Sequence, residues 1–205
     1  MKSVPPLKGL VLAGGESKRM GADKAAIEFS GKTLLDQAVS TMAHVVDDVF
    51  VSARDEQRLS AGRETYPFIA DRLGPEIRGP AAGILSAHCQ YPDAAWLVLA
   101  MDMPLVTVAM LEGLVSERDS DYDATAWRSE RNSAPEPLCA VYEPATLVRF
   151  LHQVQAGGDT SPQRWLGTQS VKLLAGSGSG LLAGANTPQE LDLRRAEKRG
   201  GQEKT

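Results

Sequence analysis

Leu10-Val11-Leu12-Ala13-Gly14-Gly15-Glu16-Ser17-Lys18-Arg19-Met20-Gly21-Ala22-Asp23-Lys24-Ala25-Ala26-Ile27-Glu28-Phe29 is the run whose reading decides the fold. A short apolar strand over 8–13 ends at paired glycines, and Lys18, Arg19 and Lys24 follow within seven residues. Gly14, Gly15 and Gly21 let the backbone take conformations that side chains oppose. Amides bared in such a turn form a nest for an anion. Lysine adds a movable point charge, and arginine a fork that grips two oxygens. This is equipment for holding a nucleoside triphosphate. The same residues also read as a strand followed by a flexible basic loop. The spacing is neither that of a Walker A loop nor that of the Gly-x-Gly-x-x-Gly dinucleotide fingerprint.

Working outward, strand-like runs recur at 49–51, 68–70, 94–100, 124–127, 138–142 and 171–174. The strands read as being followed by helix-like sequence, which predicts a parallel α/β sheet. Thr33 is placed to cap a helix, with Asp36 three residues on and apolar positions at helical spacing behind it. Pro80, Pro162 and Pro188 suit first turns of later helices. The runs at 124–127 and 138–142 predict an antiparallel edge. The polar turn between them, with Arg128, Arg131 and Asn132, reads either as a reach toward a second substrate or as a solvated hairpin tip. The expected architecture is one domain over 1–193: a three-layer Rossmann-like fold, mostly parallel, with a flexible charged tail over 194–205.

In such sheets ligands sit beyond the carboxyl ends of the strands. Four polar features fall there: Gly14-Gly15, Ser52, Asp71 and Asp102. Asp102, in Met101-Asp102-Met103-Pro104, follows the most apolar strand. A carboxylate there suits Mg²⁺, which takes one or two carboxylates plus phosphate oxygens and water; alone, it equally suits a turn. Gly83 allows either close ligand approach or plain helix–sheet packing. His44, His88 and His152 have no neighbours that suggest a triad or metal site, and His88 reads as structural.

The 205 residues suit one large domain, and the net charge of −4 argues against broad binding to nucleic acid or anionic membrane. Cys89 and Cys139 lack metal-ligand spacing, so reduced thiols and a cytoplasmic location are expected. No signal peptide and no span-length apolar run are read.

Leu-Ala-Gly-Gly-x-Ser-x-Arg-Met-Gly-x-Asp-Lys, at 12–24, resembles the signature loop of the nucleotidyltransferases, and within them most that of the molybdenum cofactor guanylyltransferase family. Leu-Val-Leu-Ala-Met-Asp-Met-Pro at 97–104 resembles the family's strand and metal-binding aspartate. Asp71 with Gly79-Pro80-Ala81-Ala82-Gly83-Ile84 resembles its nucleotide-contacting aspartate and following turn. The 136–142 segment resembles its substrate side, and Asn186-Thr187-Pro188 with Leu191 its closing motif. The resemblance implies transfer of GMP from GTP to molybdopterin with release of pyrophosphate. Leu12, Ala13, Gly14, Gly15, Ser52, Asp71, Lys24 and Asp102 would bind nucleotide, Asp102 would hold Mg²⁺, and Arg19 and Lys24 would neutralise the leaving pyrophosphate. Asn186 would meet the second substrate. The implied partners are GTP, molybdopterin, and other cofactor-biosynthesis or acceptor proteins.

One departure stands out: Gly184 occupies a position where the family commonly has Asn. The base is expected to be guanine, because cytidylyl relatives carry Ala where this chain has Gly14. The alternatives are cytidylyl or other nucleotidyl transfer to a small phosphate, or a nucleotide-binding protein without turnover.

Overall fold

The computed structural model describes residues 4–15, 23–74, 76–129, 132–175 and 180–202, the last three of these by backbone course only. Arg19, Lys18 and Arg131 lie outside the described residues.

Seven strands make one sheet: β1 (Leu7–Leu12), β4 (Val49–Ala53), β5 (Phe68–Ala70), β6 (Ala95–Ala100), β7 (Ala124–Arg128), β8 (Pro135–Tyr142) and β9 (Val171–Leu174). Between the first two in sequence lies a small hairpin, β2 (Glu28–Phe29) and β3 (Lys32–Thr33), too short to be read from periodicity. The sheet order is β5-β4-β1-β6-β8-β7-β9. Strands β5, β4, β1 and β6 pair in parallel. Strand β8 runs against both β6 and β7, and β9 pairs in parallel with β7 at the outer edge. The antiparallel pairings thus fall on one side of a mostly parallel sheet, as the hairpin reading predicts.

The chain leaves β1 toward β4 and β5, then returns to lay β6 on the other side of β1. That reversal opens a crevice at the carboxyl ends of β1 and β6. Burial on both faces explains why β6 is apolar throughout: all of its residues are buried. Trp96, Leu97, Val98 and Leu99 each contribute about 1.5–3 kcal/mol by leaving water.

Helices cover both faces. On one, α1 (Leu34–Ala43) and α3 (Val108–Ser116) pack Leu35, Met42, Leu111 and Leu114 against Val11, Val51 and Leu97. On the other, α2 (Pro80–Gln90), α4 (Pro144–Gln155) and α5 (Pro162–Leu166) pack Ile84, Leu85, Phe150 and Trp165 against Leu10, Trp96 and Tyr142. The predicted caps form: Thr33 accepts from the Asp36 amide at 3.0 Å, and Ser161 accepts from the Arg164 amide at 3.3 Å.

Two expectations are corrected. The connection from β4 to β5 contains no α-helix, only short 3-10 turns at Asp55–Gln57 and Arg63–Thr65. The physical reason is composition. Residues 54–66 are polar, and their one large aliphatic side chain, Leu59, is 82% exposed, so no apolar face exists to dock a helix. The second concerns the tail drawn from 194. Helix α6 (Pro188–Gln202) runs through its described part, 194–202. Arg194 is buried, Arg195 donates to the Glu28 carbonyl at 2.7 Å, and Lys198 lies over the Phe29 ring at 4.9 Å. The polar composition that suggested fraying is the outer face of a helix whose inner side closes on the β2–β3 hairpin. Among the described residues no helix is long and apolar enough to cross a membrane.

Candidate active site

A cleft of about 790 Å³ opens at the carboxyl ends of β1, β4, β5 and β6. Of the residues singled out in the sequence, Leu12, Gly14, Gly15, Lys24, Ser52, Asp71, Asp102 and Asn186 all line it. Arg78 and the first turn of α2, with Gly79 and Pro80, complete one wall. Gly79 sits at φ 67° and ψ −150°, a conformation essentially reserved for glycine, and starts α2 without a side-chain cap. The positive end of that helix therefore borders the cleft.

The β6 end carries the charged cluster. Lys24 Nζ donates to Asp102 Oδ2 at 3.0 Å and to Asn186 Oδ1 at 2.7 Å. Lys24 is 13% and Asp102 24% exposed by side chain, so the pair sits at the cleft wall rather than in the core. Three distant segments converge here. Lys24 opens a 3-10 turn, Lys24–Ala26, capped by the Asp23 side chain, which accepts from the Ala25 amide at 3.0 Å. Asp102 follows β6, and its carbonyl accepts from the Ala185 amide at 2.7 Å. Asn186 precedes α6, where Thr187 and Glu190 form a reciprocal cap. Thr187 Oγ1 accepts from the Glu190 amide at 3.2 Å, and Glu190 Oε2 accepts from the Asn186 amide at 2.6 Å. The cap fixes the Asn186 backbone while its side chain serves Lys24.

The β5 end is different. Ser52 Oγ donates to Asp71 Oδ1 at 2.6 Å. Burial pushes the Asp71 carboxyl above the ordinary carboxylate range, against the opposing pull of the Ser52 hydroxyl and the Arg54 charge. A Cβ at Gly14 would stand 3.3 Å from both Asp71 Oδ2 and the Ala53 Cα, so glycine preserves the space beside this carboxylate. A Cβ at Gly83 would stand 2.5 Å from Ser52 Oγ and 2.7 Å from a methyl of Leu12. Gly83 thus serves close packing of α2 on β1 and β4, although it also borders the cleft.

Ala13 does not line the cleft. Its amide donates to the Ser52 carbonyl at 2.8 Å, and its carbonyl accepts two bonds from Arg63 at 2.8 and 3.2 Å. Both of its backbone groups are therefore bonded within the fold. At the β7–β8 turn, the described residues bond to one another. Asn132 accepts from the Ala134 amide at 3.1 Å, and Arg128 donates to the Ser133 carbonyl at 3.5 Å. Gly184, the departure from the family pattern, lies against the cluster: a Cβ there would be 3.5 Å from Asp102 Oδ1 and 3.6 Å from Asn186 Nδ2.

Arg63 is the residue that sequence reasoning missed. It is fully buried and donates to both Ala13 and Asp23, at opposite ends of the glycine-rich stretch. It stands in the polar 54–66 connection, where nothing in the local pattern separates it from its surface neighbours.

The donor set fits a divalent cation held jointly with a ligand. Among the described residues no group of three His, Cys, Asp or Glu side chains converges as an all-protein cage. The Asp102 carboxylate faces the cleft and already draws an ammonium to 3.0 Å, which suits a cation that shares phosphate oxygens and water.

Residues 9–173 match the model of the MobA-like NTP transferase domain. A molybdenum cofactor biosynthesis bifunctional protein from Synechocystis is 34% identical over 92% of this chain, which spans only 53% of that protein. A probable molybdenum cofactor guanylyltransferase from Nostoc is 31% identical over 93% of this chain and 91% of its own length. Among solved structures, molybdopterin-guanine dinucleotide biosynthesis protein A from Archaeoglobus fulgidus superposes with a TM-score of 0.75 over 95% of this chain and 99% of its own. At 24% identity, that is a likeness of fold. With the signature loop, the crevice at the strand reversal and the match over 9–173 in agreement, the chain belongs to the MobA-like NTP transferase domain family.

Proposed function

We propose that this protein transfers GMP from GTP to the terminal phosphate of molybdopterin and releases pyrophosphate. The observation that carries the reading is the convergence of Lys24, Asp102 and Asn186 on one wall of the cleft, with Asp71 at the other end of it. The names of the Nostoc and Synechocystis relatives support the choice of reaction.

A phosphate oxygen of molybdopterin attacks the α-phosphorus in line. A new P–O bond forms as the bond to pyrophosphate breaks. Phosphoryl chemistry of this kind asks for positioning and charge neutralisation rather than covalent help. Lys24 would set its ammonium against the phosphates, and the guanidinium of Arg19 in the signature loop would add a second cation. Asp102 would hold Mg²⁺, which when bound supplies charge neutralisation between phosphates. The backbone at Leu12, Gly14 and Gly15 and the side chain of Asp71 receive the nucleoside. Ser52 orients Asp71 through its hydroxyl. Asn186, fixed by the cap of α6, faces the second substrate. The fold acts as one nucleotidyltransferase domain in the cytoplasm, where Cys89 and Cys139 stay reduced.

Guanine selectivity is supported by the space that Gly14 leaves beside Asp71. A site that bonds particular base groups loses roughly 1–3 kcal/mol for each buried polar atom that the wrong base leaves unpaired. Pyrophosphate release from GTP, CTP and ATP, each with molybdopterin and magnesium, tests both parts. Release from GTP at tenfold or more the rate of the others is expected. Faster release from CTP would make the protein a cytidylyltransferase, and nucleotide binding without release would make it a sensor.

A further inference from the structure

The guanidinium of Arg63 reaches two points that stand ten positions apart in the sequence. Nε and Nη2 donate to the Ala13 carbonyl, at 3.2 and 2.8 Å. Nη1 and Nη2 donate to the two carboxylate oxygens of Asp23, each at 2.8 Å. Nη1 also donates to the Ser60 carbonyl at 3.1 Å. Every N–H of the fork has an acceptor, and the side chain is fully buried. Ala13 follows β1, and Asp23 caps the turn that begins with Lys24. One buried side chain therefore ties the exit of the glycine-rich stretch to its entry, and through Asp23 it fixes where Lys24 starts.

We propose that Arg63 is a positioning residue for triphosphate binding: it clamps the two ends of the glycine-rich stretch so that Lys24 is presented to the phosphates. The inference rests on the triphosphate reading of the cleft and deepens it. Arg63 does not line the cleft and touches no part of a nucleotide there; it acts through Asp23 and the Lys24–Ala26 turn. Lysine cannot replace it. A point charge on a flexible stem has no planar fork to span a carbonyl and both oxygens of a carboxylate. The role also explains why a buried cation stands in a connection that otherwise lacks a core.

The test uses Arg63→Lys and, because a buried position is sensitive, Asp23→Asn at the more exposed partner. Each is checked for folding by thermal melting. GTP affinity with magnesium is measured by calorimetry, guanosine affinity by ligand-observed NMR, and exchange of the Ala25 and Ala26 amides by hydrogen–deuterium exchange. The expected result is GTP affinity weakened at least tenfold and guanosine affinity held within twofold. Exchange at Ala25 and Ala26 should quicken at least tenfold, with β1 unchanged. Equal loss of GTP and guanosine would mean general damage and would overturn the positioning role, as would unchanged GTP affinity in a folded variant. If the wild-type protein binds no GTP, the proposed reaction fails. The exchange measurement then judges the clamp alone, and unchanged exchange overturns it too.

Discussion

Asp71 and Asp102 face the same cleft from opposite sides of β1, and their surroundings differ in kind. Asp71, after β5, is met by the neutral hydroxyl of Ser52 and is pushed toward its protonated form by burial. Asp102, after β6, is met by the ammonium of Lys24, which is shared with Asn186. A nucleoside triphosphate has the same asymmetry: hydrogen-bonding edges at one end and concentrated charge at the other. The cleft is therefore polarised along its length. Asp71 suits amide-like and hydroxyl donors, and Asp102 suits cations shared with phosphate.

The largest expected effect would break the comparison outright if absent. Asp102→Asn is nearly isosteric and keeps the fold, yet magnesium-dependent pyrophosphate release should fall about 10²–10³-fold or more. Turnover within a few-fold of wild type would remove Asp102 from the metal. Next come paired substitutions at the two ends. Lys24→Ala should weaken GTP by about 1.5–3 kcal/mol, roughly ten- to a hundredfold, and leave guanosine unaffected. Asp71→Asn should weaken GTP and guanosine alike. Calorimetry on both ligands checks the pair, and identical profiles for the two variants would mean that the cleft is not polarised.

Asp71→Asn also carries a stability signature. A carboxyl whose pKa is raised by folding costs stability once it ionises, so the cost is absent below 3.8 and present above the folded value. The variant should match or exceed the wild-type melting temperature at pH 7, with the gap closing toward pH 3.8. A lower melting temperature at pH 7 would show that Asp71 is structural.

The smallest effect comes from outside the cleft and sharpens the others. His88 is buried in α2, its Nδ1 finds no hydrogen-bond partner among the described residues, and burial lowers its pKa below 6.5. In that window the unfolded chain binds the extra proton. The stability of the neutral ring is thus complete above pH 6.5 and is lost as pH falls toward the folded value. His88→Leu should flatten the fall in melting temperature below pH 6.5, which separates this slope from that of Asp71.

Most of the cleft was legible because its parts announce themselves locally. The paired glycines follow an apolar strand, and Asp102 follows the fully buried β6, so topology alone brings them to one edge. Thr33, Ser161 and Pro188 mark helix starts through backbone chemistry that depends only on neighbours. What was hidden depends on tertiary contact. Arg63 looks like any arginine in a polar connection until Asp23 is folded beside it. Ala13 stands at the expected place in the signature, but its backbone groups had been claimed by β4 and Arg63. The 194–202 segment lacks apolar residues to signal docking, yet it docks through Arg195 and Lys198.

The bond from Lys24 to Asn186 spans 162 positions of sequence. A ribosome adding about 5–20 residues per second needs roughly ten to thirty seconds to cover that interval. Arg63 emerges 40 positions after Asp23 and can tie the glycine-rich stretch early; Asp102 follows, 78 positions after Lys24. The lysine thus waits about half of that interval for its carboxylate and the rest of it for its amide. The nascent chain can complete the Arg63–Asp23 tie and the Lys24–Asp102 pair well before Asn186 joins their cluster.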